Sequence, residues 1–377
     1  MKAVRKEKVC ILSGNYGDGH LQAAHAIQES ARLHIPEVET LLVDFMECVH
    51  PYFHSIGRSI FIEGVKNFPS IYGYIYRKTR PVNRFSLFMK PFNHLGIWRM
   101  IRLLQETQPS IVVSTFPLAA CMISKVKELG LTSADAVTVI TDHTDHSSWI
   151  HPYTDRYIVG SEFVRTSLNQ LEVEDEKIRV TGIPVRPEFC KTYNRNALRD
   201  KFNLDRERPT VLIMGGGFGI IGEGLSKLLS SELVSQSLQI IVVCGHNEKL
   251  RQELERYQTV SKHVLLVTGY VNYIHELMAL SDFMITKPGG VTTAEAIAME
   301  LPMLLYKPLP GQEQDNAQFL INSGVALYAE QEADLHRYLT QMLESPEVLA
   351  KIKGNFRHLH SKWAASRALD VIIKKGV

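Results

Sequence analysis

Five loop clusters in this chain carry residue types able to do chemistry. The first is Ser13-Gly14-Asn15-Tyr16-Gly17-Asp18-Gly19-His20. Gly17 and Gly19 let the backbone turn tightly and approach a ligand, and a helix starting here offers N–H groups to an anion. His20 then falls in the first helical turn. The positive end of the helix dipole disfavours imidazolium there, leaving a neutral ring that can accept a proton. The plain structural alternative is a tight turn carrying an exposed histidine.

The second cluster, Gly215-Gly216-Gly217-Phe218-Gly219-Ile220-Ile221-Gly222, contains the spacing GxGxxG from Gly217. A dinucleotide site would need an acid at the end of the next strand, but that strand ends Val243-Cys244-Gly245-His246. Glu223 stands where a Walker loop would have lysine. Gly216 and Gly217 therefore suit phosphate binding or loop closure without specifying a dinucleotide.

The third runs Thr286-Lys287-Pro288-Gly289-Gly290-Val291-Thr292-Thr293-Ala294-Glu295. Gly289 and Gly290 can turn N–H groups toward a diphosphate, with the threonine pair Thr292 and Thr293 beside them. Glu295 lies one turn deeper on the face of Thr292, where a carboxylate can accept both hydroxyls of a ribose. Equally, it is an early acid complementing the helix dipole. The fourth, Lys307 to Asn316, opens a helix with Gln312, Glu313 and Asn316, which could read sugar hydroxyls or simply cap the helix. The fifth is Thr141-Asp142-His143-Thr144-Asp145-His146. Its spacing fits no zinc template, so a role in acceptor positioning or as a partner of His20 is expected, with Asp142 foremost and no metal.

These loops need strands to hold them. Short β-branched runs alternate with helical patterns throughout: Val9–Leu12, Leu41–Val43, Ile111–Val113, Val137–Ile140 and Tyr157–Val159, then Val211–Met214, Ile240–Val243, Val264–Val267, Phe283–Ile285 and Met303–Tyr306. Such runs are apolar on both faces, as in parallel strands covered by helices. The fold class is α/β, with two Rossmann-like doubly wound domains. Residues 1–185 form the first domain and 186–209, proline-bearing and charged, a linker. Residues 210–345 form the second domain and 346–377 C-terminal helices.

Composition narrows the partners. Of 377 residues, 42 are Lys or Arg and 40 Asp or Glu, a balance that gives no reason to expect nucleic acid. The 5 cysteines form no CxxC pair, so reduced thiols of a cytosolic protein are expected. No signal peptide or membrane span is read, so the chain is expected to be soluble or peripheral. Residues 50–102 carry nine basic residues against one acid, Glu63, and eleven aromatics. That composition predicts contact with an anionic membrane surface, the alternative being helices with a basic solvent face.

Taken together, NYGDGH with QAAHAI, TFP at Thr115–Pro117, ITDHTDHSSWIHP, TGIPVRP, GYV, TKPGGVTTAEA and KPLPGQEQDN resemble the monogalactosyldiacylglycerol synthase and processive diacylglycerol glucosyltransferase family. The motifs cover nearly the whole chain in order. The resemblance implies a GT-B fold with an interdomain cleft. It implies an inverting, metal-independent transfer of a hexose from a UDP-sugar to the hydroxyl of a diacylglycerol-type lipid. There is no cofactor, since the UDP-sugar is a substrate. His20 matches the family's base. Gly289, Gly290 and Thr292 match the diphosphate turn and Glu295 the ribose acid. Gln312, Glu313 and Asn316 match the sugar-reading positions, Tyr270 and Val271 the segment facing uracil, and Gly216 and Gly217 part of the donor cleft. The expected location is cytoplasmic, peripheral on the inner face of the cell membrane. A UDP-sugar 2-epimerase, a non-catalytic UDP-sugar-binding membrane-surface protein and a metal-dependent hydrolase built on Asp142 and His143 remain alternatives.

Overall fold

The computed structural model describes residues 7–15, 18–51, 63–64, 67–81, 96–215, 234, 236–259, 261–359 and 362–373. It divides into two compact units. The first comprises Met1–Pro187, Pro310–Asp315 and His360–Val377, the second Glu188–Leu309 and Asn316–Leu359.

In the first unit the strands are β1 (Lys8–Ser13), β2 (Glu39–Asp44), β3 (Ile111–Ser114), β4 (Asp135–Val139), β5 (Arg156–Val159) and β6 (Ile178–Val180). All pairs are parallel, in the order β2-β1-β3-β4-β5-β6. Alternation along β1 feeds two cores. Val9 and Ile11 pack with Ala24 and Ile27 on one face, while Cys10 and Leu12 pack with Phe45, Met100 and Phe116 on the other. Each such fully buried aliphatic side chain contributes on the order of 1.5–3 kcal/mol, so both helical layers are held against the sheet.

The second unit repeats the plan with β7 (Thr210–Met214), β8 (Gln239–Val243), β9 (Val264–Thr268), β10 (Phe283–Thr286), β11 (Met303–Tyr306) and β12 (Ala326–Ala329), in the order β12-β11-β10-β7-β8-β9. Chain order reverses between β1 and β3 in one sheet and between β7 and β10 in the other. Ligands of open α/β sheets bind beyond the strand carboxyl ends at such points.

The segment 186–209, expected as a linker, carries the helix Arg195–Lys201, and that helix is part of the second unit. Arg195 and Arg199 fix it there through Asp282, at 2.6 and 3.2 Å. The C-terminal helices do not stay together. Pro346–Asn355 belongs to the second unit, whereas Ala364–Ile373 lies in the first, with Ala368 and Ile372 against Val9 and Ile27. Among the described residues, no helix is long and apolar enough to cross a membrane.

Candidate functional site

At the reversal point of the first sheet, β1 leads into the helix Asp18–His34, with Gly19 and His20 in its first turn. Gly17 lies outside the described residues. Gly14 has a packing role: a Cβ there would stand 2.8 Å from the Phe116 ring. Phe116 follows β3 and meets His20 edge-on at 5.4 Å, and Trp149 does the same at 5.9 Å. His20 Nδ1 lies 2.8 Å from Thr141 Oγ1, and the Thr115 hydroxyl donates to the His20 carbonyl at 3.0 Å. Loss of water around the half-buried ring lowers its pKa to about 4, opposed in part by a hydrogen bond with the Thr115 backbone. The His20 ring is therefore neutral at physiological pH.

The ring opens on a pocket of about 380 Å³. Met46, Phe116, Leu118 and Trp149 give it apolar walls, and Asp142, Tyr72 and Gln312 give it polar ones. The structure thus brings His20, Asp142 and Gln312 into one cavity. Thr141 belongs to the cluster expected to partner His20, whereas the sequence assigns Tyr72 no chemical role. Tyr72 had a signal, since Tyr72, Tyr76 and Arg80 recur every fourth residue and line one face of the helix Pro69–Thr79. The Asp142 carboxylate is close enough to raise both phenols.

Of the rest of the fifth cluster, Thr144 and His146 line the pocket, while His143 is held in the structure behind it. His143 is buried against Ser161 Oγ at 3.1 Å, and its pKa is driven down to about 3 by desolvation. His146 Nδ1 lies 2.8 Å from the Ser148 hydroxyl, and His151 Nε2 lies 2.9 Å from the Ser148 carbonyl. Among the described residues, no group of three or more His, Cys, Asp or Glu is arranged to hold a metal.

In the second unit, the helix Gly290–Ala298 starts directly after β10 and has no side-chain cap. Its first N–H groups have no partners within the helix, and the dipole favours an anion there. Asn316 is fully buried and donates to the Pro288 carbonyl at 3.0 Å, and Thr293 donates to the carbonyls of Gly289 and Gly290 at 3.0 Å. Both residues shape the turn, so neither side chain points outward. At Gly289 (φ −68°) an added Cβ would meet, among the described residues, nothing nearer than Thr292 Oγ1 at 4.0 Å. Neither backbone strain nor packing against the described residues requires glycine there. Glu295 is buried one turn on. Tyr270 is half exposed and stacks on His246 at 4.6 Å, beyond β8 and β9, with Val271 following. Gly216 and Gly217 lie outside the described residues, whereas Gln312 and Glu313 belong to the first unit.

The basic, aromatic segment divides. Phe68, Ile71, Tyr74, Ile75 and Trp98 are exposed. Arg80, in contrast, binds Asp145 at 2.7 Å and Asp315 at 2.9 Å, so its charge is engaged within the unit and is not a free surface cation.

The family model for monogalactosyldiacylglycerol (MGDG) synthase matches residues 20–185, and that for the glycosyltransferase family 28 C-terminal domain matches residues 210–366. A processive diacylglycerol beta-glucosyltransferase of Bacillus cytotoxicus is 32% identical over 99% of this chain and 95% of its own. Among solved structures, MurG of Acinetobacter baumannii aligns with a TM-score of 0.62 at 13% identity, over 98% of this chain and 100% of that one. The UDP-GlcNAc 2-epimerase of Neisseria meningitidis, bound to UDP-GlcNAc, also gives 0.62, at 14% identity over the same shares. At such identities the structural likeness shows the GT-B fold alone.

Proposed function

Since this chain belongs to the family of monogalactosyldiacylglycerol synthases and processive diacylglycerol glucosyltransferases, and is thus a glycosyltransferase, we propose that it moves a hexose from a UDP-sugar to the hydroxyl of a diacylglycerol-type membrane lipid. The observation that carries this reading is the neutral His20 ring opening on an apolar pocket at the reversal point of its sheet.

With Nδ1 protonated and donating to Thr141, Nε2 presents its lone pair to the pocket. Nε2 accepts the proton of the acceptor hydroxyl as that oxygen bonds to the anomeric carbon. The bond from this carbon to the β-phosphate oxygen breaks, and its electron pair leaves with UDP. A single displacement of this kind inverts the anomeric centre. Asp142, lining the same pocket, counters the imidazolium as it forms. In the second unit the uncapped helix at Gly290, with Gly289 and Thr292, holds the departing diphosphate, so this reading needs no metal. Glu295 takes the ribose, and Tyr270 and Val271 flank the base. Gln312 and Glu313 read the hexose.

The exposed apolar side chains around the helix Pro69–Thr79, with Arg77 and Lys78 in its last turn, suit attachment to the anionic inner face of a membrane. The test is a panel of radiolabelled UDP-hexoses with dioleoylglycerol in anionic vesicles, in EDTA. Labelled glycolipid is expected from at least one donor. Absence of labelled lipid from every donor, or acceptor-free conversion of UDP-GlcNAc to its 2-epimer, contradicts the reading.

A further inference from the structure

Within the first unit, the Tyr72 hydroxyl donates to Gln312 Oε1 at 2.6 Å. Burial pushes the Tyr72 pKa up to about 12, with Asp142 and Glu313 adding to the shift and the Gln312 bond opposing it, so the phenol keeps its proton at neutral pH. The backbones around this pair are locked. A Cβ on Gly73 would fall 2.4 Å from Pro310 Cβ, and Gly311, at φ +112°, leaves only 3.1 Å between its missing Cβ and the Tyr72 ring. One turn on, Tyr76 donates to Asp315 Oδ2 at 2.9 Å and Arg80 to Asp315 Oδ1 at 2.9 Å. The start of the helix Gln312–Asn322 is thus gripped at two successive levels.

A glutamine amide has two different ends, an acceptor and a double donor. When a phenol occupies Oε1, the NH₂ group is the end left to meet a ligand. Epimeric hexoses differ in where one hydroxyl oxygen stands. A donor fixed in space separates them, whereas an amide free to rotate can satisfy either. We infer that Tyr72 is a positioning residue for donor-sugar selectivity, holding the Gln312 amide with its NH₂ turned toward the sugar. This rests on the proposed UDP-hexose donor and on Gln312 facing its sugar, and it does not depend on the lipid acceptor.

The test is calorimetric binding of UDP-glucose, UDP-galactose and UDP to wild type, Tyr72→Phe, Gln312→Ala and the double variant. Tyr72→Phe keeps the ring packed on Gly311 and removes only the hydroxyl. We expect an unchanged melting temperature and unchanged UDP affinity. Affinity for the preferred epimer should fall roughly 3- to 10-fold, the size of one neutral hydrogen bond, with little change for the other. In the Gln312→Ala background, Tyr72→Phe should have no further effect on the ratio. A wild type that binds both epimers alike, a Tyr72→Phe protein with an unaltered ratio, or a loss that persists without Gln312 overturns the assignment. A loss equally large for UDP overturns it too. The readout uses no lipid, so failure of glycolipid formation leaves this result standing or falling independently.

Discussion

At the end of β1 the first unit gathers side chains: a histidine between Phe116 and Trp149, a threonine on its Nδ1, and a carboxylate lining the same pocket. At the end of β10 the second unit gathers backbone: two glycines and an uncapped helix, with Thr293 and Asn316 turned inward to hold the turn. Both sites stand where strand order reverses, so topology alone does not separate their roles. Their materials do. Proton transfer needs a titratable group in a dry setting, whereas a diphosphate needs N–H dipoles that do not titrate. Sensitivity of turnover to pH should therefore arise in the first unit and nucleotide affinity in the second.

Substitution can break this division. The largest effect is expected for His20→Ala, a fall in kcat of roughly 10²–10⁴-fold with UDP affinity nearly unchanged, measured by steady-state transfer and calorimetry. Next, Glu295→Ala should weaken UDP and UDP-sugar alike by about 1.5–3 kcal/mol, the range for hydrogen bonds to a charged group, while normal UDP binding would remove Glu295 from the ribose.

The sharpest contrast comes from one substitution made at both turns. Gly14→Ala drives a methyl into the Phe116 ring and should cost about 1–3 kcal/mol of stability by overpacking, seen as a lower melting temperature. Among the described residues the Gly289→Ala methyl meets only Thr292 Oγ1, at an ordinary 4.0 Å, so melting should hardly move, while UDP binding weakens by about 1 kcal/mol because the methyl stands where the diphosphate approaches. If Gly289→Ala unfolds the protein and Gly14→Ala does not, the assignment of the two turns is reversed.

The sequence made the interior strands readable because parallel strands buried on both faces appear as unbroken apolar runs. It hid β6 and β12, both at sheet edges. One is three residues long with Arg179 at its centre, and the other begins and ends in alanine. His20 was legible from its place after a glycine loop. Its partnership with the cluster Thr141–His146 was legible too; that Thr141, 121 residues away, makes the contact follows from the pairing of β1, β3 and β4. The Tyr72–Gln312 bond was hidden because its two ends lie 240 residues apart. Arg80, one of the nine basic residues of 50–102, is engaged internally because Asp145 and Asp315, distant in sequence, are adjacent to it in space. Gly17, Gly216 and Gly217, expected to line ligand sites, lie outside the described residues.

The most direct measurement is the single-turnover rate of hexose transfer to diacylglycerol vesicles as a function of pH, read after a brief pH jump. The jump matters because the folded-state pKa of His20 is about 4 and that of His143 about 3, against 6.5 for the free ring. Between pH 6.5 and 4 the unfolded chain binds more protons than the folded one, so stability falls as pH falls through that window. A neutral His20 acting as the base predicts a rate that holds from neutral pH down to about 5 and declines with an acid limb near 4. An acid limb at 6.5 or above, or a limb unchanged in residual His20→Ala turnover, would contradict a desolvated His20 as the base.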